Sequence, residues 1–231
     1  MDDASGNGGS GGTDYATYLL IDDLLRLQRP LTPEAHDELL FIIVHQAYEL
    51  WFKLMLQELD LAERELRDGR PQAALAPLQR IVAIERVLET QLGVLETMSP
   101  EGFLEFRDPL APASGFQSRQ FRRIEASAEP LWDAFVACAQ LPEDGEARVA
   151  ALADLYRDHK DDPRRAALHA VAEALMDHDE GIAQWRFHHV LMAAREIGAR
   201  PGTGGSRGVD YLKTTLDKRF FPDLWEVRSA L

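Results

Sequence analysis

The sequence is short of several residue types and patterns, and each shortage excludes a class of protein. Its 231 residues contain one cysteine, Cys138, which excludes an internal disulfide and any cysteine-based zinc or iron–sulfur site and fits a cytoplasmic location. Basic residues are outnumbered, 25 Lys and Arg against 39 Asp and Glu, so nucleic acid and anionic membrane are poor partners. No apolar run approaches the roughly 18 residues that span a bilayer, and the first residues do not resemble a secretory signal.

Glycine is also scarce over most of the chain. Five of the 16 glycines fall in residues 1–12 and four between Gly202 and Gly208. We expect a disordered leader over residues 1–12 and a single helical domain over residues 13–231, because a glycine-poor chain favours helix. No segment shows sustained alternation of apolar and polar residues, so the pattern predicts an all-α bundle with almost no sheet.

Prolines and glycines set most of the expected helix boundaries. Thr32 is the predicted N-cap of a long helix whose first residue is Pro33, and Pro109 is predicted to end a short helix before it. The predicted helices are 21–28, 33–68, 72–98, 100–106, 116–128, 130–140, 146–159, 163–197, 208–217 and 222–230.

Two histidines occupy positions that suit a ligand. His45 follows the apolar run 39–44 and shares a helix face with Phe41. His189 lies on an apolar stripe, whereas the adjacent His188 should face the polar edge. The stripe is Ile182, Trp185, His189 and Met192. Both histidines could instead be core residues bonded to backbone carbonyls. If they bind a cofactor, haem fits better than structural zinc, because haem needs one imidazole in an apolar slot and zinc needs four ligands.

Two further features leave their function open. Arg107 follows an apolar segment at a predicted helix end, where it either pairs with Asp108 or Glu105 or clamps a carboxylate with its planar guanidinium. The glycine-rich segment 201–208 lacks the spacing of a P-loop or a dinucleotide-binding turn. It is either a loop that closes over a bound molecule or a plain linker.

Several segments together resemble the tryptophan 2,3-dioxygenase family. They cover a little under half of the chain, in the family's order. The most specific are HQAYELWFK, FRDPLAPASGFQS and GTGGS, and they are joined by the segment that begins at Tyr15, by QWRFHHVLM and by the tail FFPDLWEVRSAL. The resemblance implies a mostly helical protein that holds haem b between long helices, oxidises L-tryptophan or a derivative with O2, and assembles as a homotetramer.

The same resemblance implies roles for individual residues. His189 would ligate the haem iron, and His45 would lie on the opposite side near the indole N–H. Phe41 would pack on the indole, Arg107 would bind the substrate carboxylate, and Thr203 would meet the amino acid's polar end. Pocket-lining positions are matched by Phe103, Ser114 and Gly115, and a segment that reaches a neighbouring subunit's site is matched by Tyr15, Tyr18 and Leu19.

The sequence departs from the family pattern in two places. The segment between Arg122 and Trp185 is shorter than usual, and Arg207 stands where the family's glycine loop has serine. Similar shortened scaffolds form an oxindole from a β-methylated tryptophan by inserting one oxygen atom. Three hypotheses therefore compete: an indole oxygenase, a haem-binding sensor without turnover, and a structural helical bundle.

Overall fold

The computed structural model describes residues 14–231. The predicted leader, residues 1–12, lies outside this range. None of the described residues forms a β-strand, so the expected all-α class is confirmed.

The helices follow one another along the chain, and the two longest connections, residues 25–37 and 198–208, precede α3 and α9. In chain order they are α1 (Tyr15–Leu19), α2 (Ile21–Leu24), α3 (Glu38–Arg67), α4 (Pro71–Leu95), α5 (Pro100–Leu110), a 3₁₀ turn (Gly115–Gln117), α6 (Arg119–Ala139), α7 (Gly145–Arg157), α8 (Pro163–Ile197), α9 (Val209–Lys213) and α10 (Pro222–Ala230).

Four long helices form the centre of the fold. Helix α4 packs between α3 and α8, and α6 packs on the other side of α3. The buried seam of α3 shows why: residues spaced by four, three and four positions are almost completely inaccessible, the repeat of a helix with one apolar face. They are Met55, Leu59, Ala62 and Leu66. The N-terminal half of α3 also meets the C-terminal half of α8, where the indole N–H of Trp185 donates to the hydroxyl of Tyr48.

The long helix α3 begins five residues later than predicted. The Glu38 carboxylate is buried and accepts hydrogen bonds from the backbone N–H groups of Leu31 and Thr32, at 2.8 and 2.7 Å. These bonds fold the preceding segment back onto the start of the helix, so Pro33 lies in a turn and Thr32 is not the N-cap.

Two prolines that were predicted to break helices lie inside them. Helix α5 continues through Pro109 to Leu110, and α6 continues through Pro130, so the two helices predicted over 116–128 and 130–140 are one. Each proline removes one backbone hydrogen bond, but the residues four positions earlier, Glu105 and Ala126, are exposed, so water can reach their carbonyl groups. Burial of apolar residues on both sides of Pro130 maintains the helix.

One described helix, α3, is long and apolar enough by length and composition to cross a membrane. Its most apolar 18-residue window has a mean hydropathy of 1.4, which corrects the expectation that no segment approaches membrane length. Core helices of globular proteins pass the same test, and α3 packs against α4 and α6. The feature is therefore weak support for a membrane location.

Candidate active site

A cavity of about 510 Å³ lies between α3, α5, α6, α8 and the glycine-rich segment 201–208, here called the glycine loop. This volume is typical of small-molecule sites. Eight of the eleven residues singled out from the sequence line it. They are Phe41, His45, Phe103, Arg107, Ser114, Gly115, His189 and Thr203. The fold therefore brings together residues that are up to 162 positions apart in the chain, since the cavity joins Phe41 to Thr203.

His45 presents one ring nitrogen to the cavity. Its Nδ1 lies 2.7 Å from the carbonyl oxygen of Phe41, and because a carbonyl only accepts, Nδ1 must carry the proton. In the neutral ring, Nε2 is then the hydrogen-bond acceptor. Although an apolar run precedes it, His45 is exposed where it lines the cavity. His45 therefore both hydrogen-bonds to a backbone carbonyl and lines the cavity, although these were treated as alternatives from the sequence.

Neighbouring groups keep the His45 ring neutral. Desolvation by the surrounding protein lowers the pKa of His45. This effect outweighs those of the Phe41 carbonyl and the Glu49 carboxylate, which raise the pKa. The Phe41 ring lies against the imidazole, with centroids 4.0 Å apart, and also contacts Phe103. His45 is therefore a neutral acceptor beside an aromatic wall.

His189 lies on α8 and also lines the cavity. Burial lowers its pKa to about 4, with smaller contributions from His45 and His188, so the imidazole is neutral at pH 7 and has a lone pair to donate. No residue between 14 and 231 hydrogen-bonds to this ring. Its neighbour His188 points instead towards α4, where its ring nitrogens lie 2.6 Å from Glu89 and 3.1 Å from Glu96.

Arg107 is attached to the glycine loop and retains a free donor. Its Nη2 donates to the carbonyl oxygen of Pro201 at 2.6 Å. The ion pair with Asp108 that the sequence suggested is weak, because its N–O distance is 3.6 Å and the Asp108 side chain is 93% exposed. Glu105, the other suggested partner, does not pair with Arg107. Nε is buried and has no partner among the described residues. An unpaired buried donor of a cationic group is suited to a bound anion.

The glycine loop closes on itself and packs against the segment before α6. The Thr203 hydroxyl donates to the Ala113 carbonyl at 2.6 Å, and Gly202 N–H donates to Ser206 O at 3.1 Å. A Cβ on Gly204 would lie 2.5 Å from the Ser114 Cβ, so only glycine allows this approach. Arg207 is exposed and does not line the cavity, so the departure from the family pattern places no cation inside it.

Three sequence-predicted residues lie elsewhere. Tyr15, Tyr18 and Leu19 on α1 are 77%, 75% and 42% exposed and do not line the cavity of their own chain. Glu196 was not predicted from the sequence; it is a buried cavity-lining residue whose carboxylate oxygens have no partner among the described residues. Its spacing from His189, seven residues or two helical turns, could have revealed it.

The residues present fit haem. The described chain contains no group of three or more His, Cys, Asp or Glu residues that could hold a metal ion alone. The cavity instead offers the neutral imidazole of His189 on α8, in walls that include Leu92, Leu95 and Met192, with His45 on α3 as a second imidazole. Such a site suits a metal that brings its own macrocyclic ligands.

Comparison with known proteins agrees with this geometry. A model of the tryptophan 2,3-dioxygenase family matches residues 1–128 and 144–231. Curated tryptophan 2,3-dioxygenases of Anaeromyxobacter sp. (strain K) and Nocardioides sp. are 41% and 42% identical, over 94% of this chain and 96% and 94% of theirs. That of Caulobacter vibrioides is 38% identical over 94% of this chain and 98% of its own.

The comparisons also bear on the shortened segment. The first of these alignments spans 260 positions, more than the 231 residues of this chain, so that relative carries residues that are absent here. Residues 129–143 of this chain, which the family model does not match, fall in the segment between Arg122 and Trp185. The match extends over both sides of the cavity, and the chain belongs to the tryptophan 2,3-dioxygenase family.

Proposed function

We propose that this protein is a haem-dependent oxygenase that adds both atoms of O2 across C2–C3 of the indole of L-tryptophan, giving N-formylkynurenine. The observation that carries the proposal is the convergence of His45, Arg107 and His189 on one cavity. These side chains could together bind an indole, a carboxylate and a haem iron. We assign residues 13–231 to one haem-binding domain and the protein to the cytoplasm.

Four polar side chains of the cavity have separate roles in this proposal. Haem b, ligated by His189, supplies the activation of O2. The Nε2 atom of His45 accepts a hydrogen bond from the indole N–H and fixes the ring's orientation. Arg107 binds the substrate carboxylate through Nε, which has no partner among the described residues. Thr203 holds the polar end of the amino acid beneath the glycine loop.

The apolar walls position the indole and exclude water. Phe41 and Phe103 lie with ring centroids 5.9 Å apart on the same side as His45. We assign Ser114 and Gly115 to the wall beneath the glycine loop, because Gly204 packs against Ser114. Aromatic walls with few fixed polar groups are typical of sites for an amphipathic ligand such as tryptophan.

The assembly is proposed to complete the site. Tyr15, Tyr18 and Leu19 expose apolar surface on a five-residue helix that buries none of its own residues. We propose a homotetramer in which this segment covers a neighbouring subunit's cavity.

The product of the haem-loaded, reduced protein with L-tryptophan and O2 tests the proposed function. We expect a mass gain of two oxygen atoms. A gain of one atom would support the oxindole-forming alternative, and haem binding without any product would support a sensor. The curated relatives favour the first outcome, because each is named as a 2,3-dioxygenase.

The role of His45 has its own test. His45→Ala is expected to retain haem but to turn over L-tryptophan more slowly, by up to roughly 10²–10⁴-fold if the ring also moves a proton. The wild-type protein should discriminate against 1-methyltryptophan, which lacks the N–H, and the variant should lose that discrimination. His36→Ala, which removes an exposed histidine outside the cavity, is the matched control. Equal discrimination by wild type and His45→Ala would exclude the proposed hydrogen bond.

A further inference from the structure

The ring of His189 is oriented by a stacking contact rather than by a hydrogen bond of its own. Trp185, one turn earlier on the same face of α8, lies against it with ring centroids 5.1 Å apart and planes inclined by 22°. The indole is in turn packed against Phe121 of α6, at 5.2 Å. The plane of the imidazole is therefore determined largely by the position of the indole.

Two hydrogen bonds fix that indole. Its Nε1 donates to the hydroxyl of Tyr48 on α3 at 3.1 Å, and the same hydroxyl donates to the backbone carbonyl of Leu88 on α4 at 2.5 Å. Three of the four central helices, α3, α4 and α8, are thus joined through the Tyr48 hydroxyl. Burial raises the pKa of Tyr48, which keeps the hydroxyl protonated and able to donate.

We propose that Tyr48 and Trp185 are positioning residues for the iron ligand, holding the His189 ring in one orientation towards the haem. This inference rests on the proposed haem site. Neither residue need contact the iron or the substrate to act. Without the Tyr48 hydroxyl, the indole N–H of Trp185 would lack its acceptor in a partly buried position and would tilt towards water. The imidazole stacked on it would then sample several orientations.

The test removes single atoms or groups and measures the iron–histidine bond rather than turnover. The variants are Tyr48→Phe, which removes the hydroxyl, Trp185→Phe, which keeps an aromatic ring but removes the N–H donor, and the double variant. The matched control is Tyr156→Phe, which removes a hydroxyl hydrogen-bonded to Glu173 away from the cavity. Haem transfer to an apomyoglobin acceptor gives the dissociation rate, and resonance Raman of the ferrous protein gives the iron–histidine stretching band.

We expect Tyr48→Phe to lose haem about 2- to 10-fold faster, the effect of one hydrogen bond, and to show a shifted or broadened iron–histidine band. The double variant should differ little from the more affected single variant, because both substitutions break the same link. Tyr156→Phe should match the wild type in both measurements.

Two results would overturn the inference. One is an unchanged iron–histidine band in Tyr48→Phe, even if its thermal stability falls, since that would indicate a structural role alone. The other is full additivity in the double variant. Failure of the proposed function would look different, because the wild-type protein itself would then show no histidine-ligated haem.

Discussion

Replacement of His189 by alanine is expected to leave a folded protein that no longer retains haem. Among residues 14–231, His189 is the only histidine that α8 contributes to the cavity, and its low pKa leaves the imidazole neutral and free to ligate. His188→Ala is the control, because His188 pairs with Glu89 on α4 and with Glu96 just after it. This variant should keep a histidine-ligated absorption spectrum. A haem-replete His189→Ala protein with the wild-type spectrum would contradict the assignment.

The same substitution has a readout in the haem-free protein. The folded pKa of His189, about 4, lies below its ordinary value of 6.5. The unfolded chain therefore binds more protons than the folded protein between these values, and the free energy of unfolding falls as the pH drops from about 6.5 towards 4. His189→Ala removes this contribution, so its stability should decline less steeply over that range in denaturant titrations. Identical slopes for the two proteins would show that the ring is not buried in its neutral form.

Replacement of Arg107 by alanine is expected to lower kcat/KM for L-tryptophan by roughly 10- to 200-fold. A hydrogen bond to a charged group contributes about 1.5–3 kcal/mol, and each factor of ten corresponds to about 1.4 kcal/mol. The loss includes the bond to the Pro201 carbonyl that holds the glycine loop. Arg107→Lys should recover only part of the activity, because an ammonium group cannot supply both contacts.

Tryptamine separates binding of the carboxylate from support of the loop. It carries the indole and the amine but no carboxylate. The wild-type protein should strongly prefer tryptophan to tryptamine, and Arg107→Ala should lose most of that preference. If the variant discriminates as well as the wild type, Arg107 only holds the loop and Thr203 becomes the better candidate for the carboxylate contact.

The helices were predictable where local signals and burial agree. The bounds of α8 and α10 match the prediction, since each begins with a proline in the first turn and contains no further proline. The start of α3 was not predictable, because it depends on two hydrogen bonds that the Glu38 carboxylate accepts from the backbone of residues 31 and 32. The helix break predicted at Pro130 is absent, because the buried face of α6 continues past the proline.

The candidate site was likewise predictable only in part. Periodicity placed His45 and His189 on apolar faces, and the cavity contains both. The contacts that orient them join distant segments: Arg107 to Pro201 across 94 residues and Tyr48 to Trp185 across 137. Pairings of this kind depend on how helices pack, which periodicity along a single helix does not specify.

The most direct test of the central claim is an electron-density map of the reduced, haem-loaded protein with L-tryptophan bound. We expect the iron to be ligated by His189, the indole N–H to lie within hydrogen-bond distance of His45 Nε2, and the carboxylate to bind Arg107. Iron bound to His45, or a haem outside the cavity between α3 and α8, would contradict it.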